Sequence, residues 1–541
     1  MLRLTLLFMA ATLTACSTMN SRYGAAESVP GDADYPAQLV ASPVPNPTTT
    51  AEEQIAAADF DATSETPTDL WQRIRDGFTI EDMDHPRLQR QLDWYVRHPE
   101  YMQRVAERAT PYMYHVIDTI EENDIPSELA LLPIVESAFQ PFAYSHGRAA
   151  GIWQFIPSTG RLYGLEQNWW YDGRRDVYAS TQAAVAYLEN LSRQFDGDWM
   201  LALAAYNSGS GTVRKAIRRN KRRGKPTDFW SLDLPRETRA YVPKLLALKK
   251  LIADPAAYNL DLPAIPNEPY LARVELASQI DLARAAKLAD ISLDELYRLN
   301  PGYNRWATAP DGPHHLLIPR DSVDTFAENL KTLPPEQRIR WVRHRIQTGD
   351  TLSTIAVRYN TSITTIKRVN GVRGTRLRAG HSLTIPVASE SAGTYRLSAT
   401  QRKKSLQNQP RKGVKVVHIV QTGDTFWDLA QLHNVNVRAL AKWNGMAPRD
   451  PLTPGQKLVI WSRSGIETSS LEGVVLALPQ QRSVTKRIGY RVRRGDSLTK
   501  ISRKFRVSVA QLRSWNHLPD GKYLQPGQRL TVYVDVMKTS S

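Results

Sequence analysis

The stretch ELALLPIVES, residues 128–137, places seven apolar residues between two glutamates. The pattern predicts an apolar helix with Glu136 at its end, and Pro133 predicts a kink or a late helix start. A carboxyl group held against apolar packing loses solvation when it ionises, so its pKa rises and it can donate a proton near neutral pH. Cleavage of a glycosidic bond needs such a proton on the leaving oxygen. On its own, however, a glutamate at a helix end is more often solvated or a helix cap.

Helical periodicity surrounds this stretch over residues 70–260. One helix is predicted to follow Asp172 or Asp176, either of which is a suitable N-cap. A second helix is predicted to start at Trp199 and to stop at Asn-Ser-Gly 207–209. Small residues, prolines and glycines over 145–164 predict a loop or short hairpin, where binding groups often lie. The apolar stripe of the first helix comprises Val177, Thr181, Ala184, Leu188, Leu191 and Phe195.

The second half of the chain contains three copies of one repeat. In each copy a Gly-Asp-Thr or Gly-Asp-Ser motif is followed by an apolar residue, and 19 residues separate its Asp from an Asn. Alternating apolar residues before and after this segment predict two strands, and Asp350 is predicted to cap the first of two intervening helices. Each copy is therefore a β-α-α-β unit. The recurring residues are Gly349, Asp350, Thr351 and Asn370, then Gly423, Asp424, Thr425 and Asn444, and finally Gly495, Asp496, Ser497 and Asn516.

These patterns divide the chain into a tether, a helical domain and a row of small modules. Residues 16–68 are rich in Ala, Pro, Thr and Ser, a composition typical of a disordered tether. The helical domain is expected over 69–260, with its core over 115–225. The connecting segment 261–335 holds a faint copy of the repeat, with Asp281 and Asn300 but no preceding Gly. The three full copies are expected over 341–387, 416–461 and 488–535, separated by flexible spacers over 388–415 and 462–487.

The N-terminus predicts export and lipid attachment. Residues 1–15 have the positive start and short apolar stretch of a signal peptide, too short to span a bilayer. Leu13-Thr14-Ala15-Cys16 resembles a bacterial lipobox, in which the cysteine becomes the lipidated first residue. Ser17 after it is compatible with an outer-membrane lipoprotein that faces the periplasm. The alternative is an ordinary signal peptide that happens to contain the chain's one cysteine.

Composition narrows the partners. Hydrophobic residues make up 42% and charged residues 23%, which is typical of a soluble globular protein and not of a disordered or membrane-embedded one. The formal net charge of +16 favours anionic partners such as nucleic acid, a lipid surface or an acidic polymer. No nucleic-acid module accompanies it, so nucleic acid ranks last. The 11 histidines, including His314-His315, show no metal-ligand spacing, and neither a metal nor another cofactor is expected.

Four short motifs occur in order at the scale of a lysozyme domain: Glu136-Ser137, GIWQFIP at 151–157, AYNSG at 205–209 and ETRAYV at 237–242. Together they resemble the goose-lysozyme-like lytic transglycosylases, and the repeats resemble LysM domains, which bind N-acetylglucosamine-containing glycans. The resemblance implies a multidomain chain: a mainly α lysozyme-like catalytic domain followed by three small α+β LysM modules. It makes Glu136 the sole acid/base and the recurring repeat residues the LysM glycan contacts. The substrate-binding residues that it implies are Ser137, Gln154, Tyr206, Asn207, Glu237 and Tyr241.

The resemblance further implies cleavage of peptidoglycan between N-acetylmuramic acid (MurNAc) and N-acetylglucosamine (GlcNAc), at the β-1,4 bond, with 1,6-anhydroMurNAc ends as product. Two alternatives stay open: a muramidase that uses water on the same fold, and a non-catalytic peptidoglycan-binding lipoprotein. Glu237 is the residue that could serve a hydrolytic route. For Trp153, Tyr206 and Tyr241, core packing is an alternative to substrate contact.

Overall fold

A computed structural model describes residues 67–462, 485–492 and 496–505, with shorter pieces between 512 and 535. Several predictions from the sequence lie outside these residues. They concern the signal peptide, Cys16 and nearly all of the tether, the second spacer beyond residue 462, and Gly495.

Nine α-helices build the first domain around one apolar core, as the mainly α prediction requires. Trp71, Phe139 and Trp153 lie fully inside this core. Trp153 also donates from its indole nitrogen to Thr181 Oγ1 at 3.0 Å, so core packing is its role. The helices are α1 (Leu70–Asp76), α2 (Pro86–Val96), α3 (Pro99–Glu121), α4 (Leu132–Ser137), α5 (Pro157–Leu162), α6 (Val177–Gln194), α7 (Trp199–Ser208), α8 (Ser210–Lys221) and α9 (Thr238–Ala253).

The two helices predicted from apolar spacing, α6 and α7, are present. Asp176 caps α6, since its carboxylate accepts a hydrogen bond from the backbone N–H of Ala179. Gly209 ends α7 with a φ of +84°, a conformation that glycine adopts without strain. The prediction of loop or hairpin over 145–164 holds only for its first part, where Ala150 bridges to Phe155. Its second part is α5, which starts at a proline in the position that helices favour.

The repeats fold as predicted into β-α-α-β units, each closed by one antiparallel strand pair. The faint copy has the same architecture, and the third copy is described through β7, α18 and β8. The elements are β1 (Leu271–Glu275), α10 (Leu282–Leu288), α11 (Leu293–Leu299) and β2 (His315–Pro319), followed by helix α12 (Val323–Thr332); then β3 (Arg340–Arg345), α13 (Leu352–Arg358), α14 (Ile363–Val369) and β4 (Ser382–Val387); then β5 (Val414–Ile419), α16 (Phe426–Leu432), α17 (Val437–Trp443) and β6 (Lys457–Ser462); and finally β7 (Thr485–Arg491), α18 (Leu498–Phe505) and β8 (Arg529–Asp535).

The first spacer is ordered, contrary to its predicted flexibility. Helix α15 (Ala399–Asn408) occupies its centre, and Ser398 caps that helix. The residues before it pack on the faint repeat, where the Tyr395 hydroxyl donates to both Asp281 oxygens at 2.8 and 2.9 Å. The polar composition of this spacer predicted flexibility because the long-range contacts that hold the segment cannot be recognised from composition. Within the described ranges, no helix has the length and apolarity that crossing a membrane would require.

Candidate active site

Glu136 lies on a short helix that begins late and ends abruptly. A 3₁₀ turn over Ser127–Leu131 precedes α4, and Pro133 lies in the first turn of α4. Backbone N–H groups in the first turn have no partner within the helix, so the N–H that proline lacks is not needed there. Two consecutive left-handed residues, Ala138 (φ +51°) and Phe139 (φ +53°), end the helix. Such conformations cost about 1 kcal/mol or more each for residues with a Cβ and often occur at functional sites. These two residues turn the backbone out of the helix directly after Glu136-Ser137.

Glu136 is half-buried in the wall of a cleft of about 550 Å³. Burial raises the pKa of its carboxyl from 4.5 to about 7, because the charged form loses solvation. The Tyr241 hydroxyl opposes this shift by donating to Glu136 Oε1 at 2.5 Å. The negative charge of Glu237 raises the pKa further, and Lys244 lowers it. The carboxyl is thus poised to release and recover a proton at neutral pH.

Helix α9 supplies one side of the cleft. Glu237 stands at its N-cap, and Tyr241 and Lys244 follow on the same face of the helix. Thr238 connects this helix to α7 by donating to Asn207 Oδ1 at 2.7 Å. The bond fixes the position of the asparagine at the cleft wall.

Helix α7 and the loop after residue 150 supply further residues of the cleft wall. The Tyr206 hydroxyl donates to the backbone oxygen of Trp153 at 2.8 Å, which orients Tyr206 along the cleft. Gln154 lines the same wall with a φ of +50°, and its amide nitrogen donates to Gly151 O at 2.8 Å. A Cβ at Gly151 would lie 1.9 Å from the backbone oxygen of Arg174, so only glycine fits there. The Gly-Ile-Trp-Gln motif is therefore a packed turn that presents Gln154.

Ser137 takes a different place from the other predicted residues. Its hydroxyl donates to Ile152 O at 2.9 Å and to Pro133 O at 3.2 Å. The bond to Ile152 ties α4 to the turn that carries Gln154, and the bond to Pro133 lies within α4. These contacts position Ser137 beside Glu136, and its contact with substrate stays a prediction.

Sequence reasoning missed several residues of the cleft. Tyr187 on α6 stands beside the predicted apolar stripe, and Lys244 lies one helical turn after Tyr241. Ser145 and His146 come from the loop ahead of Gly151. The signal that could have found Lys244 is its i+3 spacing from Tyr241. Ser145 and His146 lie in the loop where binding groups were expected, but the sequence did not single them out.

In the repeats, the aspartates hold the loop instead of capping the helix. Asp350 Oδ2 accepts from Gln347 N and faces His344 Nε2, both at 2.9 Å. Thr351 is the helix cap, with its hydroxyl accepting from Thr354 N at 3.1 Å. The predicted capping role of Asp350 is therefore wrong. The second copy repeats the arrangement with Asp424, Gln421, His418 and Thr425, and in the third copy Tyr490 donates to Asp496.

The repeat asparagines serve the fold. The Asn370 amide donates to Thr384 O at 2.8 Å and accepts from Thr384 N at 2.7 Å, which fastens the second helix to the returning strand. Asn444 is fully buried and bonds Val459 in the same way, so its predicted glycan contact is wrong. Asn516 makes the same pair of bonds to Thr531. The fixed spacing of the three asparagines therefore corresponds to an internal bridge.

The helical domain is lysozyme-like and has a carboxyl with a raised pKa in an open cleft. Small β-α-α-β modules follow it in the chain. Together these features define a glycan-cleaving enzyme with wall-binding repeats. Residues 117–229 match the Transglycosylase SLT domain, 270–335 the LysM-like domain of lytic transglycosylase MltD, and 344–386, 418–461 and 490–532 the LysM domain. The chain is 39% identical over 419 residues to membrane-bound lytic murein transglycosylase D of Escherichia coli K12, covering 75% of this chain and 88% of that protein. The chain belongs to this family and is a lytic murein transglycosylase with peptidoglycan-binding LysM repeats.

Other similarities are partial. A protein of an Alteromonas species, described as a putative tributyltin chloride resistance protein, is 39% identical over 167 residues, covering 31% of this chain and 79% of that protein. An inactive variant of lytic transglycosylase Slt from Pseudomonas aeruginosa is 24% identical with a TM-score of 0.22, covering 29% of this chain and 25% of that one. The 70 kDa Slt70 of Escherichia coli is 19% identical with a TM-score of 0.23, covering 33% and 31%.

Proposed function

We propose that Glu136 is the sole acid/base of this lytic transglycosylase and that it cleaves the β-1,4 bond between MurNAc and GlcNAc. In the first step the protonated carboxyl gives its proton to the glycosidic oxygen, the bond between that oxygen and C1 of MurNAc breaks, and GlcNAc leaves with a free hydroxyl. The acetamido group of the substrate stabilises the positive charge that develops on the ring. In the second step the carboxylate takes the proton of the muramic C6 hydroxyl. The C6 oxygen then bonds C1, and a 1,6-anhydroMurNAc end leaves without added water.

The pKa of Glu136 near 7 supports both steps. A group whose pKa lies near the working pH is protonated often enough to act as acid and is basic enough to recover the proton. Tyr241 supports the second step, since its hydroxyl donates to the carboxylate that remains after the first. Tyr206, Asn207 and Gln154 line the cleft and would orient the sugars, with Glu237 as a further substrate contact.

The LysM repeats would keep the enzyme on its substrate. The exposed residues of the loop that each aspartate organises, Gly349 and Thr351 in the first copy and Gly423 and Thr425 in the second, would contact the glycan. Each module is small and should bind weakly. Several modules on one chain raise the effective concentration of enzyme on a polymer with many equivalent sites.

We further propose that the protein is a lipoprotein of the outer membrane that faces the periplasm. The support is the sequence Leu13-Thr14-Ala15-Cys16 followed by Ser17. Mass spectrometry of the mature N-terminus should find a diacylglyceryl group on Cys16, and Cys16→Ser should move the protein from the membrane to the soluble fraction. An unmodified mature N-terminus that begins elsewhere would contradict the anchor.

Digestion of purified sacculi tests the catalytic proposal. Wild type should release muropeptides that are lighter than the hydrolysed products by the mass of one water, and Glu136→Gln should release almost none. Glu237→Gln serves as the matched control, since it removes the other acidic side chain of the cleft and should leave the anhydro product unchanged. Hydrolysed ends from wild type that disappear in Glu237→Gln would instead support the muramidase alternative.

A further inference from the structure

A second cavity of about 790 Å³ adjoins the active-site cleft. Its walls come from the catalytic domain, the faint repeat, helix α15 and the second LysM module. Ser145 and His146 line both this cavity and the cleft, so the two spaces meet at one loop. The second LysM module contacts the same loop through Asp450. This carboxylate accepts a hydrogen bond from the Tyr144 hydroxyl at 3.0 Å and pairs with Arg148 at 2.8 Å.

The cavity is strongly basic. Seven arginine and lysine side chains line it, against two aspartates. Both aspartates already have cationic partners, because Asp172 pairs with Arg174 at 2.8 Å and Asp450 pairs with Arg148. The charge that remains in the cavity is therefore positive.

Three of the cations are half-buried and lie around one space. Arg402 lies over the Phe142 ring at 4.2 Å, and Arg305 lies over the Trp169 ring at 3.9 Å. Lys403 contacts the sulfur of Met446 at 3.8 Å. None of these three cations has a carboxylate within 4.0 Å in the part of the chain that the structure describes.

The electrostatics agree with an uncompensated cluster. Burial, together with the nearby charges of Arg175 and Arg305, lowers the pKa of Arg402 to about 9. Burial likewise lowers the pKa of Arg305 to about 10 and that of Lys403 below its usual value. Cations gathered without counter-charges are stabilised when an anion enters, and guanidinium groups bind carboxylates in two-point geometry.

We propose that this basic cavity binds the carboxylates of the stem peptide carried by a muramic residue next to the cleaved bond. The proposal rests on the proposed function, since the peptide arrives with the glycan in the cleft. Because Ser145 and His146 border both the cavity and the cleft, a ligand attached to the glycan is favoured, and the volume lies within the range of sites for small ligands. The enzyme would thus discriminate peptide-bearing strands from bare ones.

The test compares two substrates with the full-length protein: sacculi with intact stem peptides, and glycan strands from which an amidase has removed them. Arg402→Gln with Lys403→Gln should lower kcat/KM on peptide-bearing strands about tenfold, the scale of one charged hydrogen bond, and change it less than about twofold on stripped strands. Lys404→Gln is the matched control, because Lys404 is exposed on the same helix and does not line the cavity.

Equal losses on both substrates, or no loss on either, would overturn the cavity proposal. If wild type cuts neither substrate, or leaves hydrolysed ends, the proposed function fails and not the cavity. A measurement on wild type alone covers the case of a misfolded variant. A free stem tetrapeptide should inhibit digestion of sacculi, and the same peptide with amidated carboxyl groups should not. Equal inhibition by the two peptides, or by neither, would contradict carboxylate binding.

Discussion

Glu128 and Glu136 stand at the two ends of one apolar stretch, yet the fold gives them opposite tasks. Glu128 is fully buried, and its Oε1 accepts from Thr79 N at 2.9 Å and Ile80 N at 2.8 Å, with Lys249 Nζ at 3.5 Å. Glu136 is only partly buried and receives one hydrogen bond, from Tyr241. Glu128 is thus held in place by two backbone N–H groups and a lysine, whereas Glu136 has one donor, faces the cleft and has a raised pKa. The surroundings of each carboxyl, core donors for Glu128 and an open cleft for Glu136, separate the structural acid from the proposed catalytic one.

The largest contrast should appear in activity. We expect Glu136→Gln to lower the rate of sacculus digestion about 10³-fold, because the amide cannot donate a proton to the leaving oxygen. Glu128→Gln should keep the wild-type rate per folded molecule. Muropeptide release, normalised to the folded fraction from circular dichroism, measures both. A larger loss of rate in Glu128→Gln than in Glu136→Gln would mean that Glu128 is the catalytic acid and Glu136 the structural one.

Stability should show the reverse order. Glu128→Gln should lower the free energy of unfolding by about 3 kcal/mol, since it leaves the buried Lys249 without one of its two carboxylates. Denaturant unfolding of the two variants beside wild type measures the difference. A loss below about 1 kcal/mol would show that Asp82 alone is a sufficient partner for Lys249.

Glu136→Gln should be more stable than wild type at pH 8, by about 3 kcal/mol. The folded-state pKa of about 7 lies above the ordinary 4.5, so the folded protein opposes ionisation of this carboxyl. The associated stability is complete below about pH 4.5 and is lost as the pH rises through 7. The gain should therefore vanish at pH 4, which unfolding at both pH values would check.

Tyr241→Phe should lower the rate about tenfold and move the alkaline fall of the pH–rate profile to higher pH. The hydroxyl donates to the charged carboxylate, so its loss raises the pKa of Glu136 further. Wild-type kcat/KM should be level below pH 7 and fall above it, as an essential acid loses its proton. An unshifted profile would mean that the tyrosine acts on the substrate alone.

The smallest effect is expected from Glu237→Gln. Removing its charge should lower the pKa of Glu136 and move the same alkaline fall to lower pH by less than about one unit. The pH–rate profile on sacculi, with the product masses recorded at each point, measures it. A shift to higher pH would contradict the repulsion between the two carboxylates.

The sequence predicted the elements whose signals are local. Periodicity was sufficient for α6 and α7, Pro133 for the late start of α4, and fixed spacing for the repeats. Contacts between residues far apart in the sequence could not be predicted from local patterns. For that reason the buried role of Glu128 and the order in the first spacer were missed. Asp350 and Asn370 show a further limit: recurrence identified them as important without revealing that their bonds are internal.

The amide bridge from the second helix to the returning strand occurs in all four copies, including Asn300 with Leu317 in the faint one. At one position the asparagine side chain takes the hydrogen-bonding place of a third strand. It pairs with an N–H and a C=O at the edge of the two-stranded sheet, and these groups would otherwise lack partners. Among the described residues, each two-stranded sheet pairs only within its own module. A module can therefore be repeated along the chain without strand pairing to its neighbours.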